Sequence, residues 1–263
     1  PDLLPKRPLS MSDFTIKTVR VSLVESEGDG GDYFQQGRGH WLIDTLIANP
    51  MSGYEQYKAS RQSWGIGVMG SIVVEIESES GVTGVATGFG GPPAAWLVVN
   101  HFTRFLVGED ARKTSKIWDQ MFRASMPYGR KGMPIATISV VDLALWDLVG
   151  KLRGEPVYNL MGGKCHDEIS FYCTGPAPDA VKELGFWGAK VPLPHSHFDG
   201  EGGLVKNIEF LTAQRELVGP DFPLMVDCYM ALTVPYAIRL AEKTRHLSGR
   251  RASTNIPATV SGG

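Results

Sequence analysis

The chain is short of most features that would declare a role early. It carries only three cysteines, Cys165, Cys173 and Cys228, an odd number at spacings that fit no ligand or redox motif. That argues against a disulfide framework and fits a reducing compartment, so a cytoplasmic location is expected. Two of the three fall in predicted strands, where cysteine serves as a small apolar residue. No apolar run approaches the roughly 20 residues of a membrane-spanning helix, and no apolar signal core follows the basic pair Lys6 and Arg7. A net charge of −2 gives no one-signed field to draw nucleic acid or a membrane surface. No Gly-x-Gly-x-x-Gly or Walker loop follows a predicted strand. Gly28, Gly30 and Gly31 come after the first strand but open a loop rather than a helix, which excludes a nucleotide-binding βαβ unit.

What is present is globular in composition, and 263 residues suffice for one large domain or two small ones. Residues 1–13 read as a loose leader. Phe14 to Glu25 alternates as a first strand. Ser26 to Asn49 reads as a long loop whose Tyr33, Phe34, His40, Trp41 and Leu42 favour a lid that packs on something. Ser71 to Ser78 and Val82 to Thr87 form a hairpin around Glu79-Ser80-Gly81, and Ala94 to Val107 and Ala111 to Ser125 read as helices. Strands first and helices after describe an α+β unit, residues 14–132.

A helix then opens at Pro134. Ile135, Ile138, Val141, Leu145, Leu148 and Leu152 draw one apolar stripe, Pro134 suits the first turn, Lys151 and Arg153 suit the last, and Gly154 and Pro156 stop it. Three strand-helix pairs follow: Ile169–Thr174 with Pro178–Leu184, Trp187–Val191 with Gly203–Leu217, and Pro223–Cys228 with Val234–His246. This alternation predicts a parallel sheet with crossover helices, the opening of a barrel that needs about eight strands. Residues 133–247 are therefore expected to form a partial βα barrel. Residues 248–263 have no period and little bulk, and are expected to be disordered.

Val141-Asp142-Leu143-Ala144-Leu145-Trp146-Asp147-Leu148, followed by Gly154-x-Pro156-Val157-Tyr158-x-Leu160-x-Gly162-Gly163, resembles the cap-to-barrel junction of the enolase superfamily, mandelate racemase branch. Further segments resemble one group within that branch, the L-rhamnonate dehydratases. These are Gly30-Gly31-Asp32-Tyr33, His40-Trp41, Pro50-Met51-Ser52, Ser60-Arg61-Gln62-Ser63-Trp64-Gly65, Gly185-Phe186, Gly188-Ala189-Lys190 and Leu224-Met225-Val226-Asp227-Cys228. The resemblance runs from about Phe14 to about Leu247. It implies an α+β capping domain on a TIM-like (β/α)7β barrel, here incomplete. It also implies a Mg²⁺ ion held by three carboxylates at successive strand ends, a small sugar-acid substrate, a homo-oligomer, and loss of water through a metal-stabilised enediolate to a 2-keto-3-deoxy sugar acid.

Carried over residue by residue, the resemblance gives Asp227 as the first metal ligand. Its place at a strand end suits this, and its bland role would be to cap the following turn. Arg61, in the loop that resembles the substrate-specificity loop, could grip a sugar-acid oxygen with its planar fork, or simply make a surface ion pair. His40 could touch substrate or only pack beside Trp41. Phe34 departs from relatives that carry histidine in that loop. Lys190 could meet the substrate carboxylate or pair with Asp227. Pro192 occupies the slot where other relatives carry a lysine base, an absence that L-rhamnonate dehydratases share. Asp142 and Asp147 read as structural. His195-Ser196-His197 has a spacing that a metal could use. The family's second and third metal carboxylates, its histidine base and that base's aspartate belong to later strands, beyond residue 263. The chain as written is therefore expected to read as a truncated dehydratase without activity, with another acid-sugar dehydratase or a non-catalytic relic binding sugar acids or a partner chain as the alternatives.

Overall fold

The computed structural model describes residues 9–24, 45–58 and 69–248. Two compact units emerge, one of residues 1–33 with 66–167 and one of residues 34–65 with 168–263.

The first unit is an antiparallel sheet of β1 (Ile16–Val24), β2 (Ser71–Ser78) and β3 (Thr83–Phe89) in that order. The alternation in β2 buries Ile72, Val74 and Ile76 on one face. The helices are α1 (Gly91–Leu97), α2 (Thr114–Ser125) and α3 (Met133–Arg153), with a single turn α4 (Val157–Leu160) after them. On α3 the predicted stripe is real: Ile138, Val141, Leu145, Leu148 and Leu152 are buried against the sheet's apolar face, and Ile135 packs at its margin. Each such side chain contributes about 1.5–3 kcal/mol of burial. Gly154 closes the helix with φ 65°, a left-handed cap that glycine adopts without Cβ strain. The helix spans 21 residues and is long and apolar enough to cross a membrane, contrary to the sequence expectation. More than half of that apolar window is buried within the fold, as a core helix requires.

Two local expectations change. Residues 94–107 are not one helix: after α1 the backbone widens to a π turn over Val98–Phe102 and tightens to a 3₁₀ turn over Thr103–Phe105. There the Thr103 hydroxyl donates to the Val98 carbonyl at 2.8 Å and competes with the regular ladder. The end of the expected leader is also ordered. Met11–Phe14 form a 3₁₀ turn capped by Asp13, which accepts from the Ser10 amide at 2.6 Å, and Phe14 is buried.

The second unit is a parallel sheet of β4 (Tyr172–Thr174), β5 (Gly188–Pro192) and β6 (Leu224–Asp227), in that order, alternating with α5 (Pro178–Glu183), α6 (Gly200–Val218) and α7 (Val234–Thr244). Among the described residues no strand extends it at either edge, so this is an open βα arrangement, the start of a barrel and not a closed one. β4 is shorter than predicted: its ladder with β5 begins at Tyr172, and Ile169 and Phe171 are exposed, although the Phe171 carbonyl accepts from the Trp187 amide at 2.9 Å. The core is Val191, Leu193, Leu204, Leu211, Tyr236 and Leu240. Residues 45–58, which the sequence placed with the capping domain, belong to this unit: the Ala48 amide donates to the Leu193 carbonyl at 2.8 Å. The calls on Arg61, His40, Phe34 and the remainder of the lid, and on the tail beyond residue 248, lie outside the described residues.

Candidate functional site

In a parallel sheet all strand ends of one kind lie on one side, and side chains two residues apart share a face. Thr174 pairs with Lys190, Lys190 with Met225, and Pro192 with Asp227. Tyr172, Lys190 and Asp227 therefore come up on the same face, staggered toward the carboxyl edge. The Lys190 ammonium lies 2.8 Å from the Asp227 carboxylate, each side chain about one quarter exposed, and sits 5.7 Å from the centre of the Tyr172 ring. Asp227 also accepts from the Tyr229 amide at 3.1 Å, which stitches the turn after β6 to the strand end. So the strand-end placement of Asp227 and the Lys190–Asp227 contact both hold, and Asp227 does its turn-capping work as well.

Electrostatics assign Lys190 a role. Burial alone pulls its proton affinity down, but the hydrogen bond and charge of Asp227 outweigh burial and leave it raised. Lys190 is a fixed cation at neutral pH. A cation there can hold an anion. The neighbouring Cys228 thiol is pushed up to about 11, by burial first and by the Asp227 charge second. It is an inert apolar filler rather than a nucleophile.

A magnesium ion would need several hard oxygen ligands, and it sheds water reluctantly. Among the described residues no group of three or more His, Cys, Asp or Glu side chains could hold a metal ion. One carboxylate, already neutralised by Lys190, is not a magnesium site by itself.

The His195 and His197 pair does not form a metal site either. The His195 backbone is clamped by buried Asn207, whose Oδ1 accepts from the His195 amide at 3.1 Å while its Nδ2 donates to the His195 carbonyl at 2.8 Å. His197 spends Nδ1 on the Ala231 carbonyl at 2.8 Å. Burial, with Lys206 and Lys58, lowers the His195 pKa despite Asp199, so its imidazole is neutral at pH 7.

Sequence reasoning missed the residue that organises this corner. Asp199 caps its own turn, accepting from the Ser196 amide at 2.9 Å, and pairs with Lys58 at 2.7 Å. Ser196-x-x-Asp199 is a capping-box spacing, so the signal was available. A cleft of about 510 Å³ lies between Ser52, Glu55 and Lys58 on one wall and His195, Asp199 and Lys206 on the other. The ion pair spans it and straps residues 45–58 to the loop after β5. Burial pushes Asp199 up, but Lys58 and Ser196 outweigh it and hold it below the usual range; Asp199 in turn raises Lys58. The contribution of Asp199 is thus complete above the ordinary aspartate value near pH 4 and disappears as pH falls through its lowered folded value. Protection of the amides in residues 45–58, corrected for intrinsic exchange, is expected to fall below about pH 4, and Lys58→Met is expected to produce the same fall in protection at pH 7. Unchanged exchange in that variant would mean that the strap holds without its charge.

The structural residues of α3 are also placed. The Asp147 carboxylate accepts from the Val85 amide at 2.7 Å and pairs with Lys151 at 2.6 Å, and Lys151 donates to the Thr83 carbonyl at 3.0 Å. These bonds tie the helix to β3. Burial raises the Asp142 pKa, and a hydrogen bond with Trp146 opposes it.

Comparison with known proteins bears on the whole chain. The family profile for the mandelate racemase / muconate lactonizing enzyme N-terminal domain matches residues 62–162. A curated protein of Caldivirga maquilingensis with the provisional name L-rhamnonate dehydratase is 51% identical over 230 residues, covering 88% of this chain and 57% of its own length. A crystal structure of rhamnonate dehydratase from Gibberella zeae complexed with Mg superposes with a TM-score of 0.83 at 59% identity, covering 89% of this chain and 58% of that one. A racemase from Streptomyces coelicolor A3(2) with bound magnesium gives 0.61 at 27%, covering 88% and 60%. The chain thus spans somewhat more than half the length of the relatives it matches. On this identity and superposition, this chain belongs to the enolase superfamily, in its mandelate racemase/muconate lactonizing branch, and is closely related to the L-rhamnonate dehydratases.

Proposed function

We propose that this polypeptide is the capping and first-strand portion of an acid-sugar dehydratase acting on L-rhamnonate, and that the 263 residues by themselves do not catalyse. The observation that carries the reading is the Lys190–Asp227 pair at the carboxyl edge of the parallel sheet, in a chain 59% identical to a rhamnonate dehydratase crystallised with Mg. Asp227 is one magnesium ligand and the others come from outside the described residues. A bound Mg²⁺ would be held in part by Asp227 and would supply positive charge at the substrate carboxylate. Lys190 would supply positive charge for that carboxylate, Arg61 would grip a sugar-acid oxygen, and His40 would touch the substrate. The three unbridged cysteines support a cytoplasmic setting, and assembly into a homo-oligomer follows the family.

The test is barrel completion. The 263-residue chain, purified and given Mg²⁺ and L-rhamnonate, is expected to release no 2-keto-3-deoxy product. Residues 1–247 fused to the remaining barrel of the Gibberella zeae enzyme are expected to release it in a Mg²⁺-dependent way, and L-rhamnonate is expected to be preferred over other sugar acids. Activity of the 263-residue chain alone would refute the inactive reading, and a completed barrel that prefers another acid sugar would replace the substrate.

A further inference from the structure

Among the described residues the antiparallel sheet of the first unit ends in two free strand edges, and they are built differently. β1 carries Lys17 and Arg20 along its length and meets β2 through an irregular register between Ile16 and Thr18. Charge and a bulge are what keep an edge from pairing with another chain. β3 has neither. Thr83-Gly84-Val85-Ala86-Thr87-Gly88-Phe89 holds no charged residue and no proline, and its register with β2 is unbroken. The groups it shows outward follow from its bonds. The Ser78 amide donates to the Val82 carbonyl at 2.9 Å, and the Gly90 amide donates to the Gly70 carbonyl at 3.0 Å. Even-numbered residues therefore turn their main-chain groups toward β2, and Thr83, Val85, Thr87 and Phe89 turn theirs outward. Helix α3 reaches two of these four. Asp147 accepts from the Val85 amide at 2.7 Å, Lys151 donates to the Thr83 carbonyl at 3.0 Å, and the two side chains pair with each other at 2.6 Å. Only Thr87 and Phe89 stay open, which is shorter than an ordinary strand.

We propose that Asp147 and Lys151 guard the edge of β3 against strand addition by a second copy of this chain. The arrangement they prevent is specific. Two β3 strands set antiparallel about a two-fold axis at Thr87 would oppose Val85 of one copy to Phe89 of the other. A Cβ on Gly84 or Gly88 would strike α3, so Val85 and Phe89 lie together on the opposite face of the strand, and both are exposed. An aromatic side chain opposite a β-branched one is a favourable cross-strand pair, and no charge on either strand opposes the approach. That pairing needs the Val85 amide, and the Asp147 carboxylate occupies it. Lys151 fixes the carboxylate and closes the next carbonyl along the edge.

The experiment compares the 263-residue chain with Asp147→Ala, Asp147→Asn and Asp147→Ala/Thr87→Pro, by light scattering and amide hydrogen exchange at rising protein concentration. Asp147 and Lys151 are each about one third exposed, so water replaces the lost bond while Lys151 still holds the helix to Thr83. With Asp147→Ala the mass is expected to double relative to the unsubstituted chain at the same concentration, and the Val85, Thr87 and Phe89 amides are expected to gain protection over the same range. Asp147→Asn keeps an oxygen on the Val85 amide and is expected to match the unsubstituted chain. Thr87→Pro removes the amide at the proposed axis without touching α3, so the double variant is expected to return to the lower mass. Association that Thr87→Pro fails to reverse would come from a loosened helix and would overturn the proposal. So would an Asp147→Ala chain whose mass and protection do not change with concentration. None of these readouts involves substrate or metal, so they stand apart from the dehydratase reading.

Discussion

Gly84→Ala is expected to wreck the first unit. Gly84 lies on β3 opposite Ile76, where α3 crosses the sheet at closest approach. A Cβ there would stand 2.2 Å from the Ala144 carbonyl oxygen and 2.5 Å from the Leu148 amide nitrogen. These are backbone atoms of a buried helix, so no side-chain rotation relieves the clash. Helix and strand would have to part, stretching the Asp147–Val85 hydrogen bond and opening the layer of Leu145, Leu148 and Val74. Ordinary overpacking costs about 1–3 kcal/mol, and a main-chain collision should exceed that range, against a typical total stability of about 5–15 kcal/mol. Urea denaturation followed by circular dichroism should show the midpoint falling sharply or the cooperative transition disappearing. Gly202→Ala is the control: a Cβ there meets nothing within 4 Å, and it lies in a helix. Removing a helical glycine should leave stability unchanged or raise it by about 0.5–1 kcal/mol. Equal behaviour of the two variants would show that the helix and β3 are not packed as described.

The contrast between these two glycines also marks the limit of what the sequence discloses. The stripe on α3 was legible because burial there follows a strict 3.6-residue period. The three βα units were legible because apolar runs alternate with polar-faced helices at a regular spacing. Asp227 and Lys190 could be placed at strand ends for the same reason, and their register made the contact foreseeable. What escaped depends on meetings between distant segments. Lys58 and Asp199 are 141 positions apart, and nothing local to residues 45–58 says that they leave the capping sheet and bind the loop after β5. The break after α1 escaped because the competing bond, from the Thr103 hydroxyl to the Val98 carbonyl, leaves the apolar pattern intact. The positive φ of Tyr229 and Met230, 42° and 57°, escaped for a more basic reason. Sequence cues for left-handed backbone are glycine and asparagine, and here tertiary hydrogen bonds force the conformation on residues that disfavour it.

The Lys190–Asp227 pair leads to the other large effect. In the completed barrel, Asp227→Asn is expected to abolish dehydration while the protein remains folded. The amide is isosteric and keeps an oxygen to accept from the Tyr229 amide, so the turn after β6 stays capped. What disappears is the negative charge, and with it the counter-ion of Lys190 and the metal ligand of the proposed function. Metal stabilisation of the developing enediolate is worth several kcal/mol, and each 1.36 kcal/mol is a factor of ten in rate, so a loss on the order of a thousandfold or more is expected. Lys190→Met is expected to differ in kind. It leaves Asp227 free to meet a metal, so Mg²⁺ affinity should persist or rise while KM for the sugar acid climbs, because the carboxylate has lost its cation. With both groups about three-quarters buried, removing one partner leaves a partly desolvated charge, so breaking the pair should cost more than the about 0–1 kcal/mol of exposed ion pairs. Calorimetric Mg²⁺ titration beside steady-state kinetics separates the two variants. If Asp227→Asn retained full Mg²⁺ affinity and rate, the carboxylate would be a turn cap and ion-pair partner only, and the site of chemistry would have to be sought on other strand ends.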